Sequence, residues 1–363
     1  MAWDFARELE KWGPPHLSGG RKPPVPFNAH RASNAHGAPN AQGGSDAHGA
    51  PNAQGGGDAQ EGSDAQEGSD AQGAYAPRSV SVSEARSYCA HVAKSHYENF
   101  TVVSLLLPRR LVRHFHAVYA YCRWSDDLAD ETAGGEEALR LIAWWRAELL
   151  TCYDGTPRHP VMIALRETIR RFDIPAQPFL DLLVAFEQDQ RIKRYDTFDQ
   201  LLGYCRNSAN PVGRLVLHLF ECFDAERAAL SNEVCTGLQL ANFWQDVTRD
   251  FAIGRVYLPA EDRARFGHTD DDLAANRCTP EFRDLMRFEV DRARGFFDRG
   301  AALLPLLPRE ARVDVDLFIR GGRAILRAIE RTGYDVLSRR PEVSKWEKGK
   351  LLLGAVARKL LPS

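Results

Sequence analysis

The sequence lacks an excess of charge of either sign, because 47 Lys and Arg residues stand against 49 Asp and Glu residues in a chain of 363. A chain so balanced has no overall field that would attract nucleic acid, and we expect no nucleic-acid partner. It also lacks a secretory leader and any apolar run of the roughly 18 residues that a membrane-spanning helix requires. We therefore expect a cytoplasmic protein that does not cross a membrane.

The seven cysteines lack the spacing of a metal site, since no C-x-x-C pair occurs and no histidines stand at zinc spacing. Their odd number also argues against a disulfide framework, and they are typical of small buried hydrophobes in a reducing compartment. Hydrophobic residues make up 44% of the chain and charged residues 26%, the balance of a globular protein with a large core.

Large apolar side chains are scarce over residues 14–79, where short repeats of Gly, Ala, Asn, Gln and Asp recur. Such a segment cannot bury enough apolar surface to offset the entropy of ordering, so we predict a disordered insertion there. Residues 1–13, which carry Trp3 and Trp12, are predicted to form a short amphipathic segment whose role the sequence leaves open. Residues 80–363 are predicted to form a single domain.

In this third unit the apolar residues return at three- and four-residue intervals, which predicts helices nearly throughout and an all-α fold. Ser81 and Glu84 have the spacing of a capping box at the first of them. The predicted helices cover residues 109–131, 135–153, 159–172, 177–194, 197–223, 225–251, 280–305 and 309–338.

The first acidic group, Asp126, Asp127 and Asp130, follows an apolar helical run. Residues four apart share a helix face, so Asp126 and Asp130 lie side by side and repel each other unless a positive charge is near. Hard oxygen ligands on a rigid helix suit Mg²⁺. A solvated acidic face is the alternative interpretation. The similar run Asp270 to Asp272 is predicted to serve as an N-terminal cap and first-turn partner of the next helix.

A second group strengthens the metal interpretation, since Asn242, Asp246 and Asp250 recur every four residues on an otherwise apolar helix. Carboxylates on an interior helix are costly unless they are paired or bound to metal. Two such stripes on two helices predict facing metal clamps within a bundle. A diphosphate cannot be bound by aspartates directly, so divalent cations must lie between them, where they also neutralise a departing diphosphate.

With these residues the chain resembles the squalene/phytoene synthase family over about residues 83–344. The resemblance implies a single-domain helical bundle of the class I isoprenoid synthase type with a central substrate cavity. The motifs that carry it occur in family order: Y-x-x-x-R-x-x-D-D-x-x-D from Tyr119 to Asp130, D-x-x-x-x-R-Y from Asp189 to Tyr195, YCRNSANPVG from Tyr204 to Gly213, Q-x-x-N-x-x-x-D-x-x-x-D from Gln239 to Asp250, and G-R-x-Y-L-P from Gly254 to Pro259.

Two departures from the common family pattern resemble the hydroxysqualene synthases of bacterial hopanoid pathways. The chain has His96 to Phe100 where many members carry a Ser-Lys-Ser-Phe type of segment, and Gln245 where they carry a basic residue. The resemblance implies conversion of presqualene diphosphate to hydroxysqualene with release of diphosphate. Fewer cations also suit one diphosphate rather than two. The alternative is a head-to-head prenyltransferase that joins two farnesyl or geranylgeranyl diphosphates.

The resemblance further implies roles for individual residues. Mg²⁺, or Mn²⁺ in its place, is expected as the cofactor and NADPH is not; the metal ligands are Asp126, Asp127, Asp130, Asn242, Asp246 and Asp250. Arg123 and Arg255 would steady the leaving group, and aromatic rings would stabilise a cation. The residues assigned to catalysis are Asp126, Asp130, Asp246, Asp250, Tyr119, Arg123 and Tyr204, and those assigned to substrate binding are Asn99, Phe100, Phe186, Gln239, Phe243, Arg255 and Tyr257.

The expected partners are an isoprenoid diphosphate substrate and other enzymes of the same pathway. From Arg339 onward, seven Lys and Arg residues stand against two Glu residues, interleaved with Trp346 and the run Leu351 to Leu353. This stretch fits either peripheral contact with the inner face of an anionic membrane or a solvated final helix.

Overall fold

A computed structural model of the chain describes residues 3–14, 79–95 and 107–360. The predicted all-α fold is confirmed, and the β pairing in these ranges is one isolated bridge between Arg194 and Val256. The helices are α1 (Phe5–Trp12), α2 (Val82–Ser95), α3 (Arg109–Asp130), α4 (Gly135–Asp154), α5 (Pro160–Phe172), α6 (Gln177–Arg191), α7 (Phe198–Ser208), α8 (Asn210–Leu219), α9 (Ala225–Gln245), α10 (Val247–Ala252), α11 (Ala260–Arg265), α12 (Asp270–Ala274), α13 (Pro280–Gly300), a 3₁₀ helix (Ala301–Leu306), α14 (Arg309–Arg331) and α15 (Lys345–Leu360).

Two long helices organise the bundle. Helix α3 packs against α2, α4, α5 and α6, and α9 packs against α8, α13 and α14. Trp124 of α3 and Trp244 of α9 are fully buried. Burial of a large aromatic side chain stabilises a fold by about 2–3 kcal/mol. The two buried tryptophans therefore help to hold α3 and α9 in place among the helices that surround them. The first acidic group lies on α3, and the second begins at Asn242 of α9 and continues past the end of that helix.

Local signals set many helix ends as the sequence predicts. Ser81 and Glu84 form the predicted capping box: the Glu84 backbone N–H donates to Ser81 Oγ at 3.2 Å and the Ser81 N–H donates to Glu84 Oε2 at 2.9 Å. The run Asp270 to Asp272 occupies the first turn of α12 as predicted, although the capping side chain is Thr269, which precedes it.

Two predicted helices are interrupted. The predicted helix 197–223 breaks at Ala209, directly before Asn210 and Pro211, because proline cannot continue a helical hydrogen-bond ladder. The predicted helix 225–251 breaks at Asp246, whose φ of −107° and ψ of 16° end α9 before α10 begins. The prediction of one straight stripe through Asn242, Asp246 and Asp250 is therefore wrong at its middle residue.

The predicted amphipathic segment at the start of the chain contains α1, which packs on the main bundle: Phe5 is only 2% exposed. The prediction of disorder over 14–79 lies, except at its two end residues, outside the described residues. Among the described helices, none is both long enough and apolar enough to span a bilayer.

Candidate active site

The first acidic group lies on the last turn of α3. Asp126 and Asp130 are partly exposed, with side-chain exposures of 20% and 31%. Arg123, one turn earlier and nearly buried, donates to Asp126 Oδ2 at 3.2 Å and to Glu131 Oε1 at 2.8 Å. A guanidinium thus offsets the repulsion between the neighbouring carboxylates, as their spacing on one helix face requires.

Asp127 differs from its two neighbours because it is fully buried. One of its oxygens forms an ion pair with Arg123, and the other accepts a hydrogen bond from the Trp3 indole N–H at 3.0 Å. Burial raises the pKa of Asp127 well above its ordinary value, although Arg123 opposes this shift. As a metal ligand Asp127 stays a prediction, and its surroundings favour a role in holding Arg123 and the last turn of α3.

The second acidic group spans the break between α9 and α10. Asn242 is exposed, whereas Asp246 and Asp250 are each 8% exposed. Arg340, from the segment between α14 and α15, donates to both oxygens of Asp246, at 2.6 and 3.0 Å. This forked geometry is the strongest form of an arginine–carboxylate pair.

Gln245 is buried beside Asp246, and both its amide nitrogen and its amide oxygen form hydrogen bonds with the same C-terminal segment. Its Nε2 donates to the Pro341 carbonyl at 2.6 Å, and its Oε1 accepts from Arg340 at 2.9 Å. From the sequence, glutamine at position 245 means that the phosphate site has one basic residue fewer than in many members of the family. The structure adds that a guanidinium, that of Arg340, lies directly against this residue and Asp246.

Arg255 joins the two acidic groups. It is 6% exposed, its side chain donates to Asp130 Oδ1 at 3.3 Å, and its backbone N–H donates to the Asp250 carbonyl at 2.8 Å. The end of α3 and the turn after α10 are therefore within one side chain of each other. The sequence alone predicted that the two groups face one another, and this contact supports it.

Aromatic rings pack beside this junction. Phe243 and Tyr257 stack with ring centroids 3.8 Å apart, and Tyr195 stacks on Tyr257 at 5.8 Å. Tyr204 packs on the same rings, and its hydroxyl donates to Asp189 Oδ2 at 2.9 Å. All four rings are buried. Tyr195 and Asp189 were not assigned roles from the sequence, although both belong to the D-x-x-x-x-R-Y motif.

The other predicted site residues differ in their burial. Tyr119, Phe186 and Gln239 are half-buried, and the first two pack on the core. Burial raises the pKa of Tyr119 above its ordinary value, which leaves its hydroxyl protonated near neutral pH. Asn99 and Phe100 lie outside the described residues.

The donor set bears on the predicted metal. Within the described residues, no group of three or more His, Cys, Asp or Glu side chains lies close enough to hold an ion alone. Mg²⁺ does not require such a group, since it is usually held by one or two carboxylates, waters and substrate phosphates. The carboxylates of Asp126, Asp130 and Asp246 each lie beside an arginine, so the arrangement fits ions shared with a diphosphate rather than a site made by protein alone.

Besides Tyr195 and Asp189, sequence reasoning missed Arg340 and Trp3 at this site. Arg340 contacts a residue 94 positions away and Trp3 one 124 positions away, so no local pattern places them there. The available signals were weak: an arginine pair before Pro341, and a tryptophan at the start of a short amphipathic helix.

The chain matches the family model "Squalene/phytoene synthase" over residues 79–347. It is 30% identical to a phytoene synthase of Arthrospira platensis over 73% of this chain and 90% of that protein, and 31% identical to phytoene synthase 2 of Solanum lycopersicum over 77% and 93%. Among solved structures, it resembles squalene synthase HpnC from Alicyclobacillus acidocaldarius with 46% identity and a TM-score of 0.68, covering 70% of this chain and 95% of that one. A dehydrosqualene synthase gives 25% identity and a TM-score of 0.68 over 76% and 96%.

Proposed function

The chain belongs to the squalene/phytoene synthase family, and on that basis we propose that it converts presqualene diphosphate and water to hydroxysqualene and diphosphate. The observation that carries the proposal is the Arg255 contact. This side chain lies between the first acidic group and the end of the second, next to stacked buried rings. Carboxylates, a guanidinium and an apolar wall thus meet in one place.

In the proposed reaction the carboxylates of the two acidic groups would hold Mg²⁺ beside the diphosphate. When bound, Mg²⁺ supplies positive charge that neutralises the diphosphate oxygens as the carbon–oxygen bond breaks. Arg123 and Arg255 add charge-assisted hydrogen bonds to the leaving group. The stacked rings of Phe243 and Tyr257 form an apolar wall beside the cyclopropylcarbinyl cation that remains, which their π-systems stabilise. Water adds to that cation after ring opening and gives its extra proton to the released diphosphate or to solvent, which leaves the alcohol.

Support for this reaction within the family comes from two observations. The 46% identity with squalene synthase HpnC covers 95% of that chain. In addition, the chain resembles hydroxysqualene synthases in having glutamine at position 245. The Gln245 amide is hydrogen-bonded to Arg340 and to the Pro341 carbonyl. Because water capture transfers no hydride, the proposed reaction needs no NADPH.

The second candidate is head-to-head condensation of two allylic diphosphates, followed by conversion to a squalene or phytoene product. The phytoene synthases that share 30% and 31% identity with the chain favour it. Both reactions begin by ionising an allylic or cyclopropylcarbinyl diphosphate, so the same acidic groups would serve either. Substrate use therefore has to separate them.

The decisive test supplies the purified chain and Mg²⁺ with farnesyl diphosphate, geranylgeranyl diphosphate or presqualene diphosphate in separate reactions. Products are identified by mass spectrometry. We expect hydroxysqualene from presqualene diphosphate and no product from the other two. Turnover of farnesyl or geranylgeranyl diphosphate without turnover of presqualene diphosphate would overturn the proposal in favour of the second candidate.

The site assignment is tested by Asp126→Asn and Asp246→Asn, each of which removes one proposed metal ligand. We expect the rate of diphosphate release to fall by about a hundredfold or more, the scale of losing one electrostatic contact to a developing charge. Asp271→Asn is the matched control, because Asp271 is an exposed aspartate in the first turn of α12. Release unchanged in both site variants would refute the assignment.

We also propose that α15 makes peripheral contact with anionic membranes, which would bring the chain to an apolar substrate. Trp346 and Leu353 are 72% and 69% exposed, and the Lys350 ammonium lies 5.0 Å from the Trp346 ring. Basic groups beside exposed apolar ones are typical of interfacial helices. The chain should co-float with vesicles of anionic lipid, and Trp346→Ala with Leu353→Ala should abolish this. Co-flotation unchanged by the double substitution would contradict the proposal.

A further inference from the structure

Residues 3–14 lie outside the part of the chain that the family model matches, which begins at residue 79. They nevertheless pack into the same core as the first acidic group. Phe5 is almost fully buried, and its ring meets Trp124 of α3 edge-on with centroids 5.2 Å apart. Trp12 contacts His159 at 6.1 Å, and the Tyr88 hydroxyl donates to Glu8 Oε2 at 2.9 Å. The segment is thus attached at both of its ends and in its middle.

The contact of Trp3 reaches the acidic group itself. Its ring lies edge-on to Trp124 at 6.4 Å, and its indole N–H donates to Asp127 Oδ2 at 3.0 Å. The other oxygen of Asp127 pairs with Arg123, which in turn donates to Asp126. An unbroken chain of polar contacts therefore runs from Trp3 through two buried side chains to a proposed metal ligand.

We propose that residues 3–14 are a positioning segment for the first acidic group, and that Trp3 sets the orientation of Asp126 through Asp127 and Arg123. The indole N–H can only donate a hydrogen bond. Trp3 can therefore hold the Asp127 carboxylate, but it cannot itself bind the Arg123 guanidinium or a metal ion. A buried carboxylate that loses one of its donors is costly and will move or change partners. Arg123 would then no longer be held in one place beside Asp126.

The inference rests on the proposed function only for the choice of substrate, because metal–diphosphate binding is measured without turnover. Trp3→Phe keeps a ring against Trp124 and removes the donor to Asp127. Trp12→Phe is the matched control: it makes the same change in the same segment, but the Trp12 indole N–H has no hydrogen-bond partner among the described residues.

Both full-length variants are titrated with inorganic diphosphate in the presence of Mg²⁺ by calorimetry, melted, and assayed with presqualene diphosphate. For Trp3→Phe we expect diphosphate binding weakened about tenfold and kcat lowered about tenfold, the scale of a hydrogen bond to a charged group. We expect KM to rise with the weaker diphosphate binding, because the same contacts hold the substrate. Tm should fall below that of Trp12→Phe, because Asp127 loses a donor, so binding is measured well below both Tm values.

Weaker diphosphate binding in Trp3→Phe alone, in a protein that turns over no presqualene diphosphate, would support the positioning role and count against the proposed reaction. Equal diphosphate binding in Trp3→Phe and Trp12→Phe would overturn the positioning role, as would a loss in Trp3→Phe that appears only in Tm.

Discussion

The two acidic groups carry the same chemistry but are supported from opposite ends of the chain by different forces. Beneath the first, residues 3–14 contribute aromatic rings and one neutral donor, the Trp3 indole. Beneath the second, the segment from Tyr334 to Leu360 contributes arginines and backbone carbonyls, with Arg340 on Asp246 and Thr248 donating to the Val336 carbonyl. One support depends on apolar packing and the other on charge, so pH, salt and substitution should affect them differently.

The largest expected effect of breaking the charged support comes from Arg340→Ala. It leaves the nearly buried Asp246 carboxylate without its forked partner, and removal of one member of a buried pair costs about 3–5 kcal/mol. We expect the free energy of unfolding to fall by about 4 kcal/mol in urea titrations. Arg339→Ala, at an exposed neighbouring position, is the control and should cost less than about 0.5 kcal/mol. Equal losses of unfolding free energy in the two variants would show that the Arg340–Asp246 pair does not stabilise the fold more than an exposed arginine does.

Asp314 of α14, which lies under α15, should make the second support sensitive to pH. Burial raises the pKa of Asp314 to about 7, partly opposed by Lys359, and its Oδ2 has no hydrogen-bond partner among the described residues. Between about pH 4 and pH 7 the folded chain keeps a proton that the unfolded chain has lost, so stability falls as pH rises through this window.

Asp314→Asn removes this titration. We expect the variant to be more stable than wild type by about 4 kcal/mol at pH 8 and nearly equal to it at pH 4, as measured by unfolding at both pH values. Under the first support, burial lowers the pKa of His159 to about 3, so that region is stable above about pH 6.5 and loses stability only as pH falls below this value. A difference between Asp314→Asn and wild type that is the same at pH 4 and pH 8 would contradict this contrast.

Position 245 tests whether Arg340 and Gln245 form a matched pair. Gln245→Arg would set a second guanidinium against Arg340 in a buried place, and we expect a loss of about 2 kcal/mol. Adding Arg340→Gln exchanges the two side chains and should recover at least half of that loss. Additive losses in the double variant would show that the two positions do not depend on each other.

The smallest expected effect comes from the outer face of the same support. Glu347 of α15 accepts from Arg327 at 3.1 Å and from Arg331 at 3.0 Å, but both arginines are about half exposed. Exposed pairs contribute little, so Glu347→Gln should cost less than about 1 kcal/mol and should matter less still in 1 M salt. A larger loss that disappears in high salt would contradict this expectation, because it would show that these exposed ion pairs hold α15 strongly.

The sequence predicted most helices within a few residues because their causes are local. Proline at helix starts, the Ser81 and Glu84 capping box and the acidic first turn of α12 need no knowledge of distant contacts. The break at Ala209 could also be predicted from the sequence, because proline at position 211 favours the start of a new helix there. The break at Asp246 was not, because the side chain that holds the turn, Arg340, comes from the C-terminal segment.

The candidate site divides in the same way. The motif residues Asp130 and Arg255 could be proposed from the sequence, and the structure brings them into contact. That Asp127 would be buried while Asp126 is not could not be foreseen, because its burial depends on where residues 3–14 pack. The assignments of Asn99 and Phe100 stay predictions, as do the metal ligands themselves.

Both acidic groups lie at the C-terminal end of a long helix. Helix α3 ends at Asp130 and α9 ends at Gln245, and neither has a basic residue in its last turn. The aligned peptide dipoles of each helix place about half a negative charge at that end, so two macrodipoles point their negative poles at the junction. Converting individual aspartates to asparagine therefore leaves a residual attraction for cations, a share of the affinity that no side-chain substitution removes.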